Sequence, residues 1–443
     1  MATACYTQLG FGFQPKLVVD FAGGELTSDA GLVLLREFDH RWGLTDDVVA
    51  RIEDHRDRRY ISHDVAELLR QRVYQIVAGY EDVNDATALR TDPTFQTVAA
   101  GGDATPLGSQ PTLSRFEQAL DWASIRRLGN LGIDWYCAHA YGRDAAPTEI
   151  LLDVDSTDDP THGAQQLALF VGHYDQFMYR PLCWFEGHTG LPLRMRLRPG
   201  RDPDATGLVA DLDQMLPKLR HRFPRARLAL RGDAGMATPV VEAKLEAEGM
   251  AYVLGMGANK VFTRRVAAIR ARAEARYART RRPVAIRTSF RHRATRWPRQ
   301  RRILVKLDVT ATNTGVRYLV TNRTGRAADL IEWYEGRGTA ENHIKELKLD
   351  LHADRLSCHR YRANAARLQL HTIALLLLAY YRYGVLASTE LATATAHTIR
   401  LRLFKVAARV VRSVRRLCFH LASSWPHRTL FRALHRARTH APT

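Results

Sequence analysis

The chain has 443 residues, too long for one compact core, so two or three modules are expected. Its make-up is that of a folded protein, 46% hydrophobic and 25% charged, yet 65 Lys+Arg against 46 Asp+Glu leave a net charge of +19. That field selects a polyanionic partner, nucleic acid before an anionic membrane surface. The longest apolar run, Ile373 to Tyr381, is far too short to cross a bilayer. No basic stretch followed by an apolar one opens the chain, so no signal peptide is expected. Five single cysteines, none at zinc-ligand spacing, suit free thiols in a reducing cytoplasm.

Residues 1–145 read as a mostly helical N-terminal domain. Ser62 is a plausible N-cap for a helix with Val65, Leu68, Leu69, Val73 and Ile76 on one face and Gly79 as its stop. Gly102 to Gln110 reads as a loop. From Glu149 the pattern changes. Glu149 to Val154 is a predicted strand, and Pro181 to Phe185 with Leu191 to Leu197 form a predicted hairpin. In its second arm Leu191, Leu193, Met195 and Leu197 alternate with Pro192, Arg194 and Arg196. A helix from about Ala205 follows, which Pro217 ends or kinks. Leu228 to Arg231 is a strand, Thr238, Pro239 and Gly249 frame a helix, and Ala251 to Met256 is a strand. Three strands, helix, strand, helix, strand is the order of an RNase H-like α/β core, here begun by residues 146–257.

Residues 258–325 read as a basic β-rich insertion: Val261 to Lys306 holds 16 Arg+Lys and one acid, Glu274. Its predicted strands are Pro283 to Phe290, Arg302 to Val309 and Val316 to Asn322. Residues 326–385 return to the core with two helices, about Ala327 to Leu349 and Asn364 to Arg382. Residues 386–443 are a basic helical tail without an acid after Glu390 and with ten Arg+Lys from Leu401 on.

Cutting a phosphodiester needs an activated water and a stabilised leaving oxygen. Two divalent ions about 4 Å apart supply both and are held by a few carboxylates on rigid elements. Asp155 ends the first core strand, with Asp153 on the same strand face as an alternative or helper. Asp233 follows the strand Leu228 to Arg231. Each aspartate alone reads more readily as a strand-end or turn residue. The third acid has a more specific setting. Tyr334, Arg337, Glu341, Lys345 and Lys348 are spaced 3, 4, 4 and 3, which on one helix confines them to a stripe roughly 80° wide. A solvated, salt-bridged face accounts for the charges but gives the aromatic no role. A metal-binding Glu341 among phosphate-holding cations and a phenol accounts for both.

Tyr334, Arg337, Glu341 and Lys348 match in spacing the YREK signature of bacterial insertion-sequence DDE transposases. Asp155-Ser156-Thr157 resembles the first aspartate motif of that family, and Arg231-Gly232-Asp233-Ala234-Gly235 the second. Gly23 to Gly31, Gly79 to Asp82, Leu89 to Pro93, Thr112 to Glu117 and Tyr252 to Gly255 resemble the group sometimes called the IS thirteen-eighty type. The resemblance implies a catalytic, metal-binding triad of Asp155, Asp233 and Glu341 using Mg²⁺, with Mn²⁺ as substitute, and two ions. It implies backbone contacts to DNA from Tyr334, Arg337, Lys345 and Lys348. Relatives place a Trp after the Arg, where this chain has Gly338. Relatives also wedge a Trp from the insertion against a base. Trp297, amid Arg293, Arg296, Arg299 and Arg301, is the candidate, with packing of the insertion's own core as the equal alternative.

The expected function is cut-and-paste DNA transposition: cleavage at terminal inverted repeats, then strand transfer into target DNA. The expected assembly is a homodimer on DNA, off the membrane, in a bacterial cytoplasm at the nucleoid. A nuclease of the same fold without strand transfer, and a catalytically inactive DNA-binding derivative, are the alternatives.

Overall fold

The computed structural model describes residues 8–142, 145–172, 174–295 and 297–436, so Arg296 lies outside the described residues. Two compact units emerge. One holds the described residues up to Ser124 with 350–352 and 373–436; the other holds 125–349 and 353–372.

The second unit is built on an eight-stranded mixed sheet. Its strands are β1 (Glu149–Ser156), β2 (Leu182–Glu186), β3 (Pro192–Arg196), β4 (Arg227–Gly232), β5 (Ala251–Met256), β6 (Val284–His292), β7 (Arg301–Val309) and β8 (Thr314–Thr321). Their order across the sheet is β6-β7-β8-β5-β4-β1-β2-β3. β1, β4 and β5 run parallel, and the other pairs are antiparallel. The parallel strands are apolar in their middles (Ile150 to Leu152, Leu228 to Leu230 and Tyr252 to Leu254), because both of their faces are covered. Helix α1 (Leu208–Arg222) packs Leu212, Met215, Leu216 and Leu219 inward. Pro217 lies inside α1 rather than ending it: the helix bond it cannot donate is on the exposed side. The arginines of β3 are not on a solvent face. Arg194 is buried and pairs with the fully buried Asp211 of α1 at 2.6 Å, and Asp211 also accepts from Arg196 and the Trp184 indole. Helix α2 (Pro239–Ala247) starts as expected at Thr238, whose hydroxyl accepts from the Val241 amide.

The basic segment 258–325 is not a separate β insertion. It begins with a 21-residue helix, α3 (Lys260–Thr280), capped by the Asn259 side chain. Only Phe262, Val266 and Ala273 of α3 are buried, so its arginine-rich sequence carries little apolar periodicity. The three strands that follow continue the central sheet through the β5–β8 pairing. A small sheet of Asp159–Pro160, Gln176–Tyr179 and Leu169–Val171 leaves no periodic signal in the sequence, its strands being two to four residues long.

The first unit is mainly helical but opens with a hairpin, Leu9–Phe11 with Gln14–Val19. The helix Val65–Ala78 buries the five predicted apolar residues and stops at Gly79, whose φ of 89° suits glycine. Its N-cap is Asp64 rather than Ser62: the Asp64 carboxylate accepts from the Glu67 amide at 2.7 Å. Arg72 and Glu117, both buried, are paired at 2.7 Å. The tail is not uniformly helical. Ala408–Ser413 and Arg416–Leu421 form a hairpin that adds Leu26–Thr27 as a third strand. Alternation in the first arm, with Ala408 and Val410 buried and Arg409 exposed, is the period-two signal masked by the arginine content. No helix among the described residues is long and apolar enough to cross a membrane.

Candidate active site

Strand register brings the two aspartates together. In the parallel β1–β4 pair, Arg231 lies opposite Asp153 and Gly232 opposite Val154. One residue further, the same register carries Asp233 to the level of Asp155 at the carboxyl ends of two adjacent strands, a spacing of about 4.8 Å. Both aspartates lie on one face of β1, and register gives them different partners. Asp153 is 1% exposed and takes both of its hydrogen bonds from Arg231, each at 2.6 Å. Arg231 also donates to the Trp333 carbonyl. The Asp153–Arg231 pair therefore fastens the helix above the sheet, and its carboxylate is fully engaged.

Asp233 opens a short turn, its Oδ1 accepting from the Gly235 and Met236 amides at 3.0 and 3.3 Å. That turn lies directly on β5. A Cβ on Gly255 would sit 2.6 Å from the Ala234 nitrogen and 2.9 Å from the Asp233 carbonyl carbon, so only glycine fits beneath it. A fourth acid that the sequence did not reveal, Asp204, adjoins the turn. It accepts from Ser156 Oγ at 2.9 Å and pairs with Arg180, and a Cβ on Gly235 would strike it. Asp204 precedes α1 in a loop without a motif, which left no signal to read.

The third acid arrives from a broken helix, not from one continuous face. Helix α4 (Ala327–Glu335) ends at Gly336, helix α5 (Gly338–Lys345) restarts after Arg337, and a π-helical turn spans Glu346–Asp350. The break gives the five stripe residues different settings. Tyr334 is buried with Val253, Leu304, Leu319, Leu330 and Ile331, beneath Arg337, whose Cζ stands 5.9 Å from the ring centroid. Arg337 turns to the strand ends. Its Nη1 donates to Asp155 Oδ2 at 2.6 Å and its Nη2 to Glu341 Oε1 at 2.7 Å. Glu341 is half exposed, Lys345 is exposed, and Lys348 pairs with Asp158 at 3.0 Å.

The charges are held under tension. Burial pushes the Asp155 carboxyl up to about 6; the Arg337 guanidinium pulls against that rise, and the like charge of Asp233 adds to it. Burial and then Asp204 raise Asp233. Arg337 is itself half-buried among acids, and Asp155 holds its proton against desolvation. Arg337 is thus the cation that lets these carboxylates stand close. With Arg337 between Asp155 and Glu341, the oxygens of Asp155, Asp233 and Glu341 do not all lie within 4.8 Å of one another; the donor type, carboxylate oxygen open on the Glu341 side, suits a hard divalent ion such as Mg²⁺ or Mn²⁺.

Trp297 is buried, not displayed. Its ring packs 4.9 Å from the Arg301 Cζ and 5.8 Å from the His292 ring. In the other unit Glu53, His55 and Asp121 form an exposed group whose possible ligand atoms all lie within 4.8 Å of one another.

The piggyBac transposase, solved by cryo-EM as a synaptic complex with hairpin DNA, is similar at 12% identity and a TM-score of 0.44. The likeness covers 85% of this chain and 80% of that one. No curated protein matches the chain. The family described as transposase DDE domain, group 1, matches residues 9–442, nearly the whole sequence, and the chain belongs to it: it is a DDE transposase.

Proposed function

We propose that this transposase belongs to the YREK-bearing insertion-sequence branch, the IS thirteen-eighty type. It would cut the ends of its element and join them to target DNA from an RNase H-like core. Enzymes of its family work with divalent metal ions; here Asp155, Asp233 and Glu341 would hold them, Mg²⁺ by preference and two in number. The observation that carries this is the Arg337 bridge. One guanidinium joins an acid at a strand end to an acid on a helix more than 180 residues away in sequence, beside a second strand-end acid. Such convergence of charge at the edge of a sheet lowers stability and is kept where it serves chemistry.

Bound there, a divalent ion supplies Lewis acidity toward the scissile phosphate and the attacking oxygen. The chain's own part is positional. Asp155 and Asp233 are held by strand register and by the Asp233 turn. Arg337, relieved of its two carboxylates, becomes a free planar fork suited to a phosphate. Lys345 and Lys348 extend that contact along the backbone. Tyr334 lies under the Arg337 guanidinium and would set its height over DNA. The buried Trp297 favours packing over the base-wedge reading. Two element ends must be joined, so a homodimer on DNA is the proposed working form.

The test incubates the full chain with Mg²⁺ or Mn²⁺ and labelled DNA carrying the inverted repeats that flank its gene. Wild type should nick at the repeat boundary and form joint molecules. Asp233→Ala and Glu341→Ala should do neither. Cutting by either variant at the wild-type rate overturns the triad, and cutting without joining favours a nuclease.

A further inference from the structure

Parallel strands give the sheet two unlike ends. The acids lie at the carboxyl ends of β1 and β4, and about 20 Å away along β1, from Asp155 to Glu149, the amino ends of β1, β4 and β5 open into a trough. Two adjoining cavities of about 610 and 800 Å³ form it, sharing Gly249, Asn322, Arg323 and Thr324. Seven arginines and three glutamates line the two cavities. The glutamates are spent locally: Glu149 on Arg323, Glu246 on Arg299 and Arg301, Glu248 on Arg220. Among the described residues no carboxylate pairs with Arg227, Arg291 or Arg302, and the first two are exposed. Arg302 is aimed by Ser289 Oγ and the Gly325 carbonyl, which fixes its fork without neutralising it.

We infer that this trough is a second nucleic-acid surface, which takes the backbone of a DNA duplex other than the stretch being cut. A phosphate at Arg227, level with Glu149, stands about 20 Å along the strand from Asp155, and one at Arg291 or Arg302, level with Asp153, stands four or five strands to the side, about 19–24 Å, so it is not the one under attack. The unpaired guanidiniums come from three different strands, β4, β6 and β7, and so lie across the sheet end as a row suited to successive phosphates. The lining is concave and charged, which suits a duplex backbone rather than a flat lipid surface. For the identity of the duplex the inference rests on the transposase reading; target DNA is the second duplex that reaction needs.

The test uses the full chain carrying Arg227→Glu and Arg291→Glu together, with Arg227→Ala and Arg291→Ala as the milder pair and thermal melting as the check of fold. Binding of a labelled duplex without the element's ends is measured free of divalent ions between 50 and 200 mM salt. The charge-reversed protein should bind at least about tenfold more weakly, with the slope of log K against log salt reduced by about 2. End cleavage should stay within about twofold of wild type, while joining to target falls with the binding. Unchanged affinity and slope overturn the proposal, as does end cleavage that falls as far as duplex binding. Equal loss of binding to anionic phosphatidylserine vesicles would reassign the trough to lipid. Asp233→Asn, run alongside, should bind the same duplex as wild type, which separates failure of the trough from failure of the triad.

Discussion

Asp153 and Asp155 stand two residues apart on one strand, each with one arginine, yet the two pairs are opposites. Asp153 and Arg231 are both buried, joined by two bonds of 2.6 Å, and the arginine's Nη1 donates to the Trp333 carbonyl. Asp155 has one bond from Arg337, which is shared with a half-exposed Glu341. The first pair is closed, and its three hydrogen bonds all lie inside the fold. The second is open, and its cation is divided between two acids that repel each other. Two residues of strand are enough to separate a fastening from a reactive centre.

The sharpest way to break that comparison is to neutralise each acid in turn. Asp155→Asn should keep the fold, because it removes a buried charge from a site with too many. It should lower end cleavage by on the order of 10³-fold, or about 4 kcal/mol of barrier. Asp153→Asn leaves the Arg231 guanidinium buried without its counter-charge, which should destabilise the protein by about 3–5 kcal/mol in denaturant melts. It should also loosen the corner that carries Arg337, since a Cβ on Gly336 would meet the Arg231 guanidinium at 2.7 Å and the two are in close register. If both variants lose cleavage and neither loses stability, the distinction between the pairs is wrong.

The sequence carried one side of this contrast better than the other. The strands and their order were legible because β1, β4 and β5 are short apolar runs bounded by turn residues, and Asp233 was found because it follows one of them. The choice between Asp153 and Asp155 was not legible, since alternation puts both on one face and only the register with Arg231 separates them. The spacing from Tyr334 to Lys348 predicts one helix face, whereas the break at Gly336 sends Tyr334 into the core and Arg337 to the acids. A glycine beside an arginine is a weak stop signal, and the contact that enforces the break comes from a strand 100 residues earlier. Arginine content misled twice, hiding the period of α3 and the tail hairpin, because long charged side chains cover apolar surface without registering as apolar.

A smaller perturbation tests the Asp233 side alone. Gly255→Ala forces a methyl group against backbone atoms at 2.6 and 2.9 Å, and backbone cannot give way as a side chain can. The variant should lose about 1–3 kcal/mol of stability. It should also weaken Mn²⁺ binding, followed by calorimetry, more than a matched Gly257→Ala, where a Cβ meets nothing within 4 Å. Equal metal affinity in the two alanine variants would separate the turn from the metal site.

The smallest effect is also the one that most directly distinguishes an open pair from a closed one. The Asp155 carboxyl titrates near 6, above its ordinary 3.8, so the folded protein holds that proton more tightly than the unfolded chain does. Between those values the native state binds more protons, and the contribution of Asp155 to stability falls as pH rises. Between pH 5 and 7.5 the metal-free protein should therefore lose about 1.4 kcal/mol through this group, one pH unit below 6. Other buried acids titrate nearby, among them Glu242 at about 7, so the quantity to measure is the difference between wild type and Asp155→Asn at each pH. Added Mg²⁺ or Mn²⁺ reverses the sign, because the ion needs the carboxylate ionised. Affinity should weaken about tenfold per pH unit below 6 and level off above it. A metal-induced rise in melting temperature at pH 7.5 that fades by pH 5, and is missing from Asp155→Asn, is the expected pattern. The same rise at both pH values would mean that Asp155 is already ionised and its pair with Arg337 as closed as that of Asp153 with Arg231.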